Sequence, residues 1–428
     1  MNFLQTFLKI GGSTFFAILI SAIVIKIISV NYGPNGLAEF GLVRDNLRLI
    51  LFAAAFSSSN AIINALNSEN ILNKISYLNN VFKIFLIILP LVAIISFFYL
   101  SSNLRVFDYG TYDILILISI GIIAGLSQIF IAILNGYKHV NDITRNQIIS
   151  FSLSLLVIFF YYGSNLYIYY FFALYLSWFA LSFLSLRAKG ISISFYEAAS
   201  ENLDRNNVHQ ISAFAGGNLI TTIAGIVTLI QIKTHTLLNF SESDLGQLEA
   251  GITISTVYMA IFTSAVGVYL LPKYSKSRDP QELSKILYFL LLLLLFIVVT
   301  VGFLSYEVTT LLFSNEFLQA SRILAIMITG DLLKIFTIVI TFIFLADRKI
   351  IHFVFSCLAF NISFYASYYF LSQTLGIESI SYAYIIANFV MFIYCAYYSI
   401  KLKYLKNSLP ILSFLVVFIL LIALSNNL

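Results

Sequence analysis

The chain has 428 residues, of which 60% are hydrophobic and only 10% charged, and its mean hydropathy is +0.95. A soluble domain is about 25% charged; a chain with so few charges cannot cover a surface that faces water, so a cytosolic enzyme, a secreted domain and a disordered protein are excluded and lipid is the solvent. The net charge of +5 comes from 24 basic residues scattered through apolar sequence, which builds no basic domain and excludes a nucleic-acid partner.

A membrane-crossing helix needs about 20 apolar residues. In chain order, the segments that satisfy this are 8–30, 46–67, 80–101, 113–137, 147–163, 167–186, 208–233, 249–271, 285–306, 321–346, 352–371 and 381–400. The first runs past Lys26 to Val30 without a cleavage site, so it reads as a retained span and not as a leader. A thirteenth run, Ile411 to Leu424, follows Pro410 and has only 14 residues. It is either a thin span or an interfacial segment. The expected fold class is all-α, a polytopic membrane protein of about 12 transmembrane helices with an extra short C-terminal hydrophobic segment.

Charge placement orients these helices. With the N-terminus cytoplasmic, 17 of the 24 basic residues fall at cytoplasmic ends. Arg44, Arg48, Arg105, Lys233 and Arg322 fall on the opposite side, and Lys26 and Lys334 within spans. That asymmetry is the positive-inside bias. The longest polar stretch, about 187–210, divides the chain into a six-helix lobe at 1–190, a cytoplasmic linker at 191–207, a second six-helix lobe at 208–406 and an apolar tail at 407–428. The halves echo one another. Gly11-Gly12-Ser13 corresponds to Gly216-Gly217-Asn218, each followed by a deep basic residue (Lys26, Lys233), and Gln128-Ile129-Phe130 corresponds to Lys334-Ile335-Phe336. A repeat of this kind implies two pseudo-equivalent bundles with a site between them, a common transporter plan.

A Lys at the bilayer centre costs about 2.5–3.5 kcal/mol on insertion scales, so charges inside spans usually face a cavity and carry function. Asp331 and Lys334, three residues apart, share a helix face with Thr337 and Thr341. They read either as a functional pair or as a self-neutralising one that lets the helix insert. Lys26 has no acidic neighbour in its own helix, and it either faces a cavity or snorkels to the interface. Lys233 lies closer to a span end, where snorkelling is the stronger reading for it alone. Arg44 and Arg48 share a face at the start of span two, as interfacial anchors or cavity residues. Ser57, Asn60, Asn64 and Asn67 form a polar stripe that bonds other helices or touches sugar hydroxyls. Asp331 is the only carboxylate well inside an expected span. The set is therefore net basic and favours a multiply charged anion such as a phosphate over an organic cation.

Cys357 and Cys395 lie inside apolar runs and read as small buried hydrophobes. The four histidines lack metal-ligand spacing. No phosphate-binding loop or hydrolase motif occurs. Neither a metal, a cofactor nor a catalytic constellation is expected.

Five short motifs stand in order: Gly33-Pro34-Asn35-Gly36 with Arg44 and Asn60 downstream; Asn135-Gly136-Tyr137-Lys138; Val268-Tyr269-Leu270-Leu271-Pro272; Leu312-Phe313-Ser314-Asn315 with Phe317; and Gly330-Asp331-Leu332-Leu333-Lys334. With these, the chain to about residue 403 resembles the Wzx-type flippases of lipid-linked oligosaccharides (O-antigen translocases) of the multidrug/oligosaccharidyl-lipid/polysaccharide exporter superfamily. The resemblance implies two six-helix lobes around a central cationic cavity. It implies alternating access that moves an undecaprenyl-pyrophosphate-linked glycan, an O-antigen or capsule repeat unit, from the cytoplasmic to the periplasmic leaflet of the bacterial inner membrane. A glycan polymerase and a chain-length regulator are the pathway partners it implies. Lys26, Arg44 and Lys233 match basic positions of the family, and Asp331 and Lys334 match its Gly-Asp-x-x-Lys motif. Arg48, Asn60 and Asn64 join them as substrate-binding residues. Asp331 is the residue expected to couple a proton or sodium gradient. Span eight departs from the pattern, with Ser255 and Thr256 where some relatives hold an acid.

Two other functions compete. An ion-coupled multidrug or small-solute antiporter of the same superfamily would need acids to bind cations. A membrane glycan polymerase or ligase, an enzyme, would need a sizeable outer loop, and the outer loops expected at 31–45, 234–248 and 307–320 hold about 15 residues each. A non-enzymatic flippase is the leading reading.

Overall fold

The structure, a computed structural model, describes residues 3–67, 74–161, 166–191 and 205–425; the side chains of residues 3–17, Asn60, Asn64, Asn67 and 267–273 are among those outside the description. The described chain is helical throughout, as hydrocarbon requires of a backbone that must satisfy its own hydrogen bonds. In order, the helices are α1 Phe3–Ala54, α2 Ser59–Asn67, α3 Lys74–Asn103, α4 Thr111–Gly136, α5 Val140–Phe160, α6 Leu166–Ala188, α7 Arg205–Asn239, α8 Glu242–Ser277, α9 Pro280–Phe303, α10 Ser305–Leu312, α11 Leu318–Ala346, α12 Ile350–Leu375, α13 Ser379–Lys401 and α14 Leu409–Ser425. Of the expected spans from 80–101 onward, 147–163 runs past α5 into residues outside the description and 285–306 runs over from α9 into α10; the others each fall on one helix to within a residue.

The first two spans differ from expectation. Span one and the start of span two form a single kinked helix, with Gly33 at φ 63° and ψ −161° and Pro34 beginning the second limb. Glycine takes the left-handed φ without cost, and proline at a helix start loses no needed N–H, so the expected loop at 31–45 is replaced by a sharp bend. The second limb then ends at Ala54, and Phe56 and Ser57 hold positive φ before α2 begins. The expected loops at 234–248 and 307–320 contract in the same way. Only two residues separate α7 from α8, and α10 with a 3-10 turn at Asn315–Phe317 fills the other. Local caps explain these joints: Ser241 Oγ accepts from Asp244 N at 3.0 Å, and Ser314 Oγ accepts from Glu316 N at 3.4 Å.

The chain forms two compact units, Met1–Gly41 with Gln231–Leu428, and Leu42–Ile230. In the larger unit α11 is the hub. It is buried over most of its length, and α8, α9, α13 and α14 pack on it. Phe336 of α11 meets Phe392 of α13 and Phe414 of α14 at ring separations of 4.8 and 5.3 Å. The tail is thus a 17-residue helix docked by Ile411, Phe414, Phe418 and Leu421, with Leu412, Val416 and Ile419 facing outward. In the smaller unit α4 is the hub, and Phe130 packs against Phe82 and Phe179 at 6.0 and 5.5 Å. The expected linker at 191–207 lies mostly outside the described residues.

Several helices end in a left-handed residue. After α4, Lys138 takes φ 63° and His139 N bonds Leu134 O; after α11, Arg348 takes φ 58° and Lys349 N bonds Phe344 O. The turns after α6 and α13 repeat the pattern, with Ile191 N on Leu186 O and Tyr404 N on Ser399 O. In each, the left-handed residue lets the next N–H reach a carbonyl of the last helical turn.

The bend in α1 is held by α8. A Cβ on Gly246 would stand 2.0 Å from the Pro34 carbonyl oxygen, a backbone atom. Gly246→Ala should therefore destabilise the fold by about 1–3 kcal/mol, read as a lower thermal midpoint in detergent; an unchanged midpoint would show that the bend is not held there.

Candidate functional site

Asp331 lies at the centre of α11 with no exposed surface. One carboxylate oxygen accepts the Ser255 hydroxyl at 2.8 Å and the Tyr258 phenol; the other accepts the Tyr384 phenol at 2.5 Å. Lys334 Nζ donates to the same Tyr384 oxygen at 2.7 Å and stands 5.1 Å from its ring centroid. Asp331 and Lys334 are thus joined through Tyr384, and α8, α11 and α13 meet at one acid. A buried carboxylate without donors would cost several kcal/mol; three hydroxyls supply them. Thr337 and Thr341 continue along the same helix face but turn their hydroxyls back to the backbone. Their hydroxyls donate to the Lys334 and Ile338 carbonyls of their own helix at 2.8 and 2.9 Å.

The second cluster is only half visible in the sequence. Lys233 is ion-paired with Glu249, and each side chain is only 1% exposed. Thr253 donates to the other Glu249 oxygen at 3.2 Å. Placing the start of span eight at 249 makes Glu249 a span-end residue, but α8 starts at Glu242, so Glu249 sits two turns inside. Asp331 is therefore not the lone deep carboxylate. Lys233 is buried and paired, where the sequence favours snorkelling.

Lys26, half-buried on the first limb of α1, points its ammonium at the C-terminal end of α10. It donates to the carbonyls of Thr310, at 3.2 Å, and of Phe313. A helix C-terminus offers both unsatisfied carbonyls and the negative end of the dipole. In the smaller unit Arg44 and Arg48 both lean on Asp45, at 3.2 and 3.6 Å. Arg48 is the most open of the set at 46% exposure. Asp45 itself is buried, and the Asp45/Arg48 spacing of three is its sequence signal. Ser57 sits in the turn before α2, so it is off the helical face on which the spacing puts it with Asn60, Asn64 and Asn67. The side chains of those three asparagines lie outside the described residues.

At the far end of α11, Asp347 pairs with Arg278 at 3.4 Å. In the turn beyond α13, burial and the Asp347 carboxylate push the Tyr404 phenol above its ordinary range, so it stays protonated. Tyr274 and Phe344 pack on its ring at 6.3 and 6.0 Å.

No family model matches the chain. Two curated relatives do, each named Lipid III flippase, from Escherichia coli (strain K12) and Shigella flexneri: each is 26% identical over 151 residues, covering 34% of this chain and 36% of the relative. The chain thus matches about a third of the length of these relatives. Among solved structures, the Lipid II flippase MurJ in an inward closed conformation superposes with TM-score 0.72 at 15% identity, covering 98% of both chains. An inward-facing multidrug resistance MATE family transporter of the MOP superfamily gives 0.72 at 13% identity, covering 92% of this chain and 96% of that one. The MATE multidrug transporter DinF-BH gives 0.71 at 14%, covering 93% and 95%. The chain has the fold of these flippases and transporters, a membrane transport fold of about 12 transmembrane helices.

Proposed function

We propose that the protein is a flippase that carries an undecaprenyl-pyrophosphate-linked oligosaccharide, an O-antigen or capsule repeat unit, from the cytoplasmic to the periplasmic leaflet of a bacterial inner membrane by alternating access. The observation that carries the reading is the sequence match to a lipid flippase on a chain whose whole length takes a flippase fold. The placement of charge supports it. Lys26, Arg44, Arg48, Lys233 and Lys334 outnumber the acids set beside them: Asp45 on Arg44 and Arg48, Glu249 on Lys233, and Asp331 joined to Lys334 through Tyr384. A net basic set of residues suits a pyrophosphate, while the glycan needs hydroxyl partners such as Asn60 and Asn64. The sequence halves 1–190 and 208–406 are the proposed working lobes, with the N-terminus cytoplasmic. A glycan polymerase and a chain-length regulator are the proposed partners downstream.

A drug antiporter is the second reading, favoured by the equal likeness to the MATE fold. Deleting the gene separates the two. The flippase reading expects a lipid-linked intermediate to accumulate, identified by mass spectrometry together with its sugars, and no change in resistance to cationic dyes; the reverse outcome supports the antiporter. Arg48→Ala, the change least entangled with folding, should reduce surface glycan at an unchanged protein level.

Asp331 is the proposed coupling group, because its carboxylate joins α8, α11 and α13 through hydroxyls that either a proton or a sodium ion would rearrange. Asp331→Asn keeps the shape and most hydrogen bonds. In proteoliposomes it should abolish the response of flipping to an imposed proton or sodium gradient; a variant that still responds overturns the assignment.

A further inference from the structure

The Lys233–Glu249 pair is more enclosed than a binding residue should be, and the proposed role of Lys233 leaves Glu249 without a task. Both side chains are 1% exposed. The pair and Gly41 lie within the larger unit. The chain leaves the larger unit at Gly41 and returns to it at Gln231, two residues before Lys233. Gly41 lies directly on the acid: a Cβ there would stand 2.5 Å from Glu249 Cδ and 2.6 Å from an oxygen.

We propose that Glu249 is an internal stand-in for the substrate's phosphate. It neutralises Lys233 when no substrate is bound, and a phosphate-bearing headgroup takes Lys233 from it during transport. The proposal rests on the flippase reading above. Its physical basis is that a buried ammonium cannot be left unpaired between transport cycles. A phosphate offers more charge and more acceptor oxygens to an ammonium than a carboxylate does. Glu249 has a second partner ready for the moment of exchange, since Thr253 already donates to its other oxygen at 3.2 Å. The absence of a side chain at Gly41 gives the carboxylate its seat. The alternative is a pair that only pins α7 to α8.

Purified protein in nanodiscs, titrated with farnesyl pyrophosphate and with farnesol as the uncharged control, separates these. Glu249→Gln should bind farnesyl pyrophosphate about tenfold more tightly than wild type, the worth of one hydrogen bond to a charged group. Its thermal midpoint, lowered without ligand, should recover with farnesyl pyrophosphate and not with farnesol. The double variant Lys233→Met/Glu249→Gln should show neither effect. Gly41→Ala pushes the carboxylate aside without changing a charge, so it should tighten binding in the same direction and keeps the test decisive should Glu249→Gln not fold. Equal binding by wild type, Glu249→Gln and Gly41→Ala overturns the exchange and leaves the flippase reading standing, as does a gain that survives in the double variant. No binding of farnesyl pyrophosphate by any of them overturns both.

Discussion

A charge taken out of water must be met by an opposite charge or by fixed dipoles, and this requirement decides which helices of the protein touch. Asp331 cannot be buried in α11 unless α8 brings Ser255 and Tyr258 and α13 brings Tyr384. Lys233 cannot be buried in α7 unless Glu249 faces it from α8. Lys26 takes the carbonyl end of α10 instead of an acid. Apolar packing against lipid-like neighbours has little direction. The polar pairs supply the direction, and each fixes a helix–helix register that leucine and phenylalanine alone would leave loose.

The same requirement explains how much is legible in the sequence. Helix positions are readable because a 20-residue apolar run has few alternatives in hydrocarbon, and α3 through α9 and α11 through α13 lie where the apolar runs are. The errors fall at joints. Hydropathy treats 31–45 as a loop because it is less apolar, but Gly33 and Pro34 turn a continuous helix there. Polar residues are readable as sites only when charge is the signal. Asp331 and Lys334 announce themselves, whereas Tyr384, which joins them, is one of 27 tyrosines. Glu249 is passed over for a boundary error of about two turns.

Each basic residue that the sequence marks for an anion is found with a partner: Lys26 on carbonyls, Arg44 and Arg48 on Asp45, Lys233 on Glu249, and Lys334 on a phenol. For a protein that had to hold one anion permanently this would be a defect, since every partner is a competitor. For a transporter it is a requirement. A cation bare in the empty protein would bind its anion too tightly to release it, and would not tolerate burial while waiting. Partners of graded strength, from dipoles through a shared acid to a full buried ion pair, would let the proposed anion be taken up and given up at moderate cost at every step. On the proposed reading, the excess of basic over acidic groups sets the sign of the cargo, and the partners set how readily it moves on.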